Sequence, residues 1–226
     1  MRIDVKGTII SNNEKWIYDL FEMDSTCPKD VQNAIDKANG EPLEVFINSG
    51  GGDIFAGSEI YSALRSYKGV VNIHVVGFAG SAASVIACAG KSDATPTAMV
   101  MVHNVSGGAN GDYHSMDHSS EVLQTANKSI AAAYVTKTGM SEKDALAMMD
   151  KETWLTAQQA VEKGLIDKIA ESQNLKLVAA YQSLVIPQSV IEKVRNSVKE
   201  PLLNEADFLC RKAQTKLNLL KLEVSK

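Results

Sequence analysis

Cysteine is scarce in this chain and cannot be fully paired. Cys27, Cys88 and Cys210 are widely separated and odd in number. No Cys-x-x-Cys pair or Cys/His cluster accompanies them, which argues against a disulfide framework and a zinc centre and fits a reducing compartment. Long apolar runs are also missing. None approaches the ~20 residues that a spanning helix needs. The opening Met1-Arg2-Ile3-Asp4-Val5-Lys6 is charged where a signal peptide would be apolar. The expectation is a soluble, cytoplasmic protein with no membrane partner. An excess of basic residues is absent too: the net charge is −4, which gives no electrostatic case for binding nucleic acid or an acidic membrane. What remains is ordinary globular composition, with 45% hydrophobic and 22% charged residues over 226 positions. That fits one domain with an appendage.

The chain alternates strand and helix patterns. Residues 2–10 alternate around Ile3, Val5 and Ile9 and predict a strand. Pro28 after Cys27 marks a helix start, Val31, Ala34, Ile35 and Ala38 keep helical spacing, and Gly40 ends it. Leu43–Ile47 predicts a strand running into Asn48-Ser49-Gly50-Gly51-Gly52-Asp53, followed by a helix carrying Ile60 and Leu64. Val70–Val76 predicts the next strand, residues 81–90 a buried helix of small residues, and Ala98–Val102 another strand. The glycine-containing segment 105–111 reads as a loop, and a long polar helix is expected over about 115–138. Ser141 and Thr156 open two further helices through capping-box patterns, and Leu165–Ile169 reads as a last short strand. This order predicts an α/β fold with a mostly parallel sheet.

Such sheets gather their sites at the carboxyl ends of strands. Here three strand ends carry the glycine turn at 50–52, the run Gly80-Ser81-Ala82-Ala83-Ser84, and His103. A serine at a strand-to-helix turn lies near free amide groups and the positive end of a helix dipole, as a nucleophile beside an oxyanion hole requires. On local grounds, Ser81 or Ser84 could equally be a plain N-cap, and His103 a hydrogen-bonded core histidine. His114 and His118 have i,i+4 spacing but read as a solvated helix start rather than a metal pair. His74 reads as structural, Cys88 as packing, and Trp154 and Leu155 as core.

Four segments together resemble the proteolytic subunit of the Clp protease family, and in character its phage- and prophage-encoded members. They are Phe46-Ile47-Asn48-Ser49-Gly50-Gly51-Gly52, Gly80-Ser81-Ala82-Ala83-Ser84, Val100-Met101-Val102-His103, and Trp154 through Asp167. The resemblance covers roughly residues 1–171 and implies the ClpP/crotonase-like fold: repeated β-β-α units, a mostly parallel sheet, a protruding handle helix at about 104–140, and here a C-terminal helical extension over 172–226. It implies a serine endopeptidase with Ser84 as nucleophile, His103 as base and Glu152 as the acid. Asp150 is the alternative acid, because the family usually has Asp where Glu152 stands. Backbone N–H groups of Gly52 and Val85 would form the oxyanion hole, and neither a metal nor another cofactor is implied. A polypeptide substrate is expected inside a homo-oligomeric ring or stacked rings, in the bacterial host cytoplasm if phage-encoded. Capsid or scaffold proteins in phage head maturation would be candidate substrates. The short N-terminal segment argues against docking of an unfoldase ATPase, hence an ATP-independent enzyme.

Two other readings compete. A crotonase-like acyl-CoA enzyme would use a similar oxyanion hole without needing Ser84 and His103 together. A non-catalytic assembly protein could keep the same fold as a scaffold. In the tail, residues 187–222 hold two helical patterns split by Pro201. Leu202, Ala206, Leu209, Ala213, Leu217 and Leu220 line one face of the second.

Overall fold

The computed structural model describes residues 1–171, 186–197 and 213–214. The second tail pattern, from Leu202 onward, therefore lies almost wholly outside the described residues. The elements in chain order are β1 (Arg2–Ile9), α1 (Lys15–Leu20), β2 (Ser25–Thr26), α2 (Pro28–Ala38), β3 (Leu43–Gly52), α3 (Ile54–Ser66), β4 (Val71–Gly80) and α4 (Ala82–Ala87). There follow β5 (Lys91–Ala94), β6 (Met99–Val102), α5 (Tyr113–Thr138), α6 (Glu142–Asp150), β7 (Thr153–Thr156), α7 (Ala157–Glu162), β8 (Lys168–Ile169) and α8 (Gln188–Ser197).

The strands form one sheet in the order β2-β1-β3-β4-β5-β8, with β6 paired to β4 and β7 to β6. Every pairing is parallel except β6 with β7. The sheet forks at β4. Its first half, Asn72–Val75, pairs with β5, and its last residues, Phe78–Gly80, pair with β6. This fork brings the ends of β4 and β6 side by side. Leu43, Val45, Ile47, Ile73 and Val75 are fully buried along the two central strands, as expected for parallel strands covered on both faces.

Local chemistry sets the helix ends. Pro28 sits in the first turn of α2, whose N-cap Cys27 forms a capping box with Asp30. Asp53 caps α3 by accepting the Ala56 N–H at 2.6 Å. Thr156 and Gln159 complete the reciprocal box that their spacing predicts. Trp154 is a correction: it is 49% exposed while Leu155 is buried. The period of two along β7 turns one residue in and the next out. Trp154 instead stacks on Phe78, ring centroids 5.4 Å apart.

Helix α5 spans 26 residues, about 39 Å at 1.5 Å per residue. Its buried residues, Ile130, Ala131, Ala133 and Tyr134, all lie in its second half, so the first half projects from the body. A second apolar cluster, apart from the main core, joins Ile10, Ile17, Tyr18, Leu20 and Cys27 to Ile186, Ile191 and Val194. The Ile186 N–H donates to Tyr18 Oη at 3.3 Å.

His74 has the structural role expected of it. Its ring joins three neighbouring strands, with Nδ1 2.9 Å from Asp93 and Nε2 2.8 Å from Glu44. The hydrogen bond to Asp93 raises its pKa against the opposing effect of partial burial, and the Glu44 bond adds to the rise. The resulting stabilisation is complete below the unfolded value of about 6.5 and is lost as pH rises through the higher folded value. Urea midpoints measured at pH 6 and pH 9 are expected to fall more in the wild type than in His74→Gln. Equal falls would refute this contribution.

Candidate active site

The site lies where β3, β4 and β6 end together. Strand β4 stops at Gly80, and Ser81 makes the turn into α4 with φ 53° and ψ −125°. A positive φ is costly for a residue with a Cβ and marks a strained turn. The Ser81 N–H holds the turn to β6 by donating to the Met101 carbonyl at 2.9 Å. Two residues beyond that carbonyl, His103 follows the end of β6, with Nε2 2.8 Å from Ser81 Oγ. Serine and imidazole thus meet across the fork in the sheet.

The structure does not bring His103 to Ser84, which corrects the expected pairing. Ser84 lies inside the first turn of α4 and is 2% exposed. Its hydroxyl donates to the Ser81 carbonyl at 2.7 Å and lies 2.8 Å from Tyr134 Oη. The helix geometry explains the difference. A side chain in the first turn points back toward the helix N-terminus and into the packing, whereas the N-cap residue stands outside the helix. The Val85 N–H, expected at the oxyanion hole, instead approaches the Ser81 carbonyl at 3.4 Å, inside the helix. Ala82 is the first helical residue, and its N–H has no acceptor within the helix. It lies directly after Ser81 and beside Gly51, where a Cβ would come 2.9 Å from Ala82 N.

Neither expected acid hydrogen-bonds to His103 among the described residues. Asp150 accepts from Asn104 Nδ2 at 2.8 Å, and Glu152 accepts from Trp154 Nε1 at 3.2 Å. The register still distinguishes them. Met101 faces Trp154 and Val102 faces Thr153 in the antiparallel pair, so one further step sets His103 opposite Glu152. Glu152 turns the chain there with φ 47°.

Ser81, His103 and Gly52 line a cavity of about 510 Å³, to which Met101, Leu123 and Ile130 contribute apolar surface. A larger cavity of about 830 Å³ is lined by Arg65, His74, Ser92, Asp93 and Lys137 among others; there His74 is bonded to Asp93 and Glu44, and Ser92 Oγ to Asp167. Cys88 is packing, as expected. It is buried, and burial pushes its thiol up to about 12, so it is no thiolate nucleophile at neutral pH. His114 and His118 stand exposed near the start of α5. No described helix is long and apolar enough to cross a membrane.

Residues 31–173 match the family model described as Clp protease. An ATP-dependent Clp protease proteolytic subunit 1 from Streptomyces avermitilis is 34% identical over 133 residues, covering 58% of this chain and 61% of the relative. A proteolytic subunit from Bacteroides fragilis is 33% identical over 133 residues, covering 58% of this chain and 64% of the relative. The chain thus spans less than two thirds of the curated relatives it matches. Among solved structures, a ClpP1 point mutant from Listeria monocytogenes superposes with a TM-score of 0.62. That superposition has 20% identity and covers 76% of this chain and 92% of the other, a likeness in fold.

Proposed function

Because the chain belongs to the Clp protease family, we propose that it is a serine peptidase in which Ser81 is the nucleophile and His103 the general base. The observation that carries this reading is the 2.8 Å contact between Ser81 Oγ and His103 Nε2 at a strained strand-to-helix turn. In the first step Ser81 Oγ attacks the scissile carbonyl carbon while its proton passes to Nε2. The carbonyl oxygen becomes an oxyanion held by the Gly52 and Ala82 N–H groups. His103 then returns the proton to the leaving amine as the C–N bond breaks. Water, deprotonated by the same imidazole, releases the acyl group from Ser81. No nucleotide enters these steps, so short peptides are cleaved without ATP.

Glu152 is the acid we assign to orient His103, on the strength of the β6–β7 register. Closure of Glu152 onto the imidazole is then part of reaching the competent state. Glu152→Gln is expected to lower kcat on the order of 10²–10⁴-fold, the upper end being the loss when a buried triad Asp becomes an amide. Asp150→Asn should leave kcat roughly unchanged. The reverse pattern would move the acid to Asp150.

The substrate is a polypeptide, cleaved within a homo-oligomeric ring in the cytoplasm. Residues 1–171 form the protease body and 172–226 an extension. On the resemblance of the four sequence segments to phage-encoded members, capsid and scaffold proteins are the first substrates to assay. Fluorophosphonate labelling of the assembled protein followed by peptide mapping should place the adduct on Ser81. An assembled protein with no adduct and no hydrolysis of short peptides would overturn the reading.

A further inference from the structure

We infer that Tyr134 and Ser84 form a hydroxyl relay whose role is to aim the Ala82 N–H at the oxyanion. They are positioning residues, and the inference rests on Ser81 being the nucleophile. Proton counting gives the direction of the relay. The Ser84 hydroxyl has one proton and donates it to the Ser81 carbonyl at 2.7 Å, a group that can only accept. The 2.8 Å contact between Ser84 Oγ and Tyr134 Oη must therefore be donated by tyrosine. Burial pushes the Tyr134 phenol above its ordinary value, so the donor proton is present at any working pH. The order is Tyr134 O–H to Ser84 O–H to Ser81 C=O.

That carbonyl is held from more than one side. The Ser84 N–H also donates to it at 2.9 Å and the Val85 N–H at 3.4 Å. The peptide unit joining Ser81 to Ala82 is planar and trans, so fixing its C=O fixes the N–H on the opposite edge. The Ala82 N–H therefore points away from the relay, toward the glycine turn, where the backbone of Gly51 comes close. A turn at φ 53° needs such a restraint, because strained backbone persists only where its surroundings over-determine it. Tyr134 is 0% exposed and Ser84 2%. Two buried hydroxyls would be costly unless bonded, and here each satisfies the next. Tyr134 lies on the buried part of α5, so the relay also ties the projecting helix to the nucleophile turn.

The test uses the full-length assembled protein and the variants Tyr134→Phe, Ser84→Ala and their double. Turnover is normalised to active sites titrated with fluorophosphonate, and a peptide aldehyde is the second probe. Its hemiacetal oxygen occupies the oxyanion position. Each single variant is expected to lower kcat per site about tenfold with KM unchanged, less than the 10²–10³-fold loss from removing an oxyanion donor. The aldehyde should bind more weakly by a similar factor. The double variant should be no worse than Ser84→Ala, because Tyr134 acts through Ser84. A purely structural role would lower Tm and the titrated fraction but leave kcat per site intact. That result, or losses that multiply in the double variant, overturns the relay. Ser81→Ala separates the two claims. If it retains activity, the nucleophile assignment fails and the relay with it. If it is inactive while Ser84→Ala and Tyr134→Phe match the wild type per site, only the relay fails.

Discussion

Ser81→Ala is expected to abolish fluorophosphonate labelling and to lower peptide hydrolysis on the order of 10⁴–10⁶-fold, the scale of loss when a triad nucleophile or its partner is removed. Only one hydroxyl in the run of small residues after β4 meets His103, and it belongs to Ser81. The change removes one exposed-side oxygen and leaves the Cβ in place, so circular dichroism and Tm should stay at wild-type values. Ser84→Ala, by contrast, should still label. If labelling survives in Ser81→Ala and disappears in Ser84→Ala, the 2.8 Å contact is not the reactive one.

The second large effect is expected at Gly51. Its φ is +96°, and a Cβ there would lie 2.7 Å from the Gly80 carbonyl oxygen, 2.7 Å from Ser81 Cβ and 2.9 Å from Ala82 N. Two of these three neighbours are backbone atoms and cannot rotate away. Gly51→Ala should therefore combine about 1–3 kcal/mol of conformational strain with a displacement of the nucleophile turn. Turnover should fall on the order of 10²-fold, comparable to the loss of an oxyanion donor. Gly40→Ala is the matched control. Its φ is +92°, with nothing within 4 Å of the added Cβ, so it reports strain without the collision. If the two variants have equal Tm and both keep wild-type turnover, the glycine turn does not press on Ser81.

Features that depend on local chemistry could be read directly from the residues. Pro28 after Cys27 marked the start of α2, and the Thr156–Gln159 box marked α7, because caps need only the nearest turn. Strand β5, Lys-Ser-Asp-Ala, has no apolar run to betray it. It is extended because β4 and β8 flank it in the sheet. Helix α1 was likewise not foreseen, since its apolar face is covered by residues far along the chain. At the site, His103 was legible as a polar residue ending an apolar strand. The choice between Ser81 and Ser84 was not, because both sit in the same stretch of alanine and glycine. The deciding fact is where α4 begins. A helix starting at Ala82 leaves Ser81 outside as its N-cap and encloses Ser84. The directness of the turn from Gly80 was the available signal.

The cluster joining Ile17, Tyr18 and Leu20 to Ile186, Ile191 and Val194 has a consequence for how this chain can be divided. Both of its halves lie outside residues 31–173, the part that matches the family model. The head and tail thus roof each other, and neither has a complete apolar lining alone. A piece cut to the shared borders would lose a cover at once, so in any recombination with a relative these two flanks travel as a matched set.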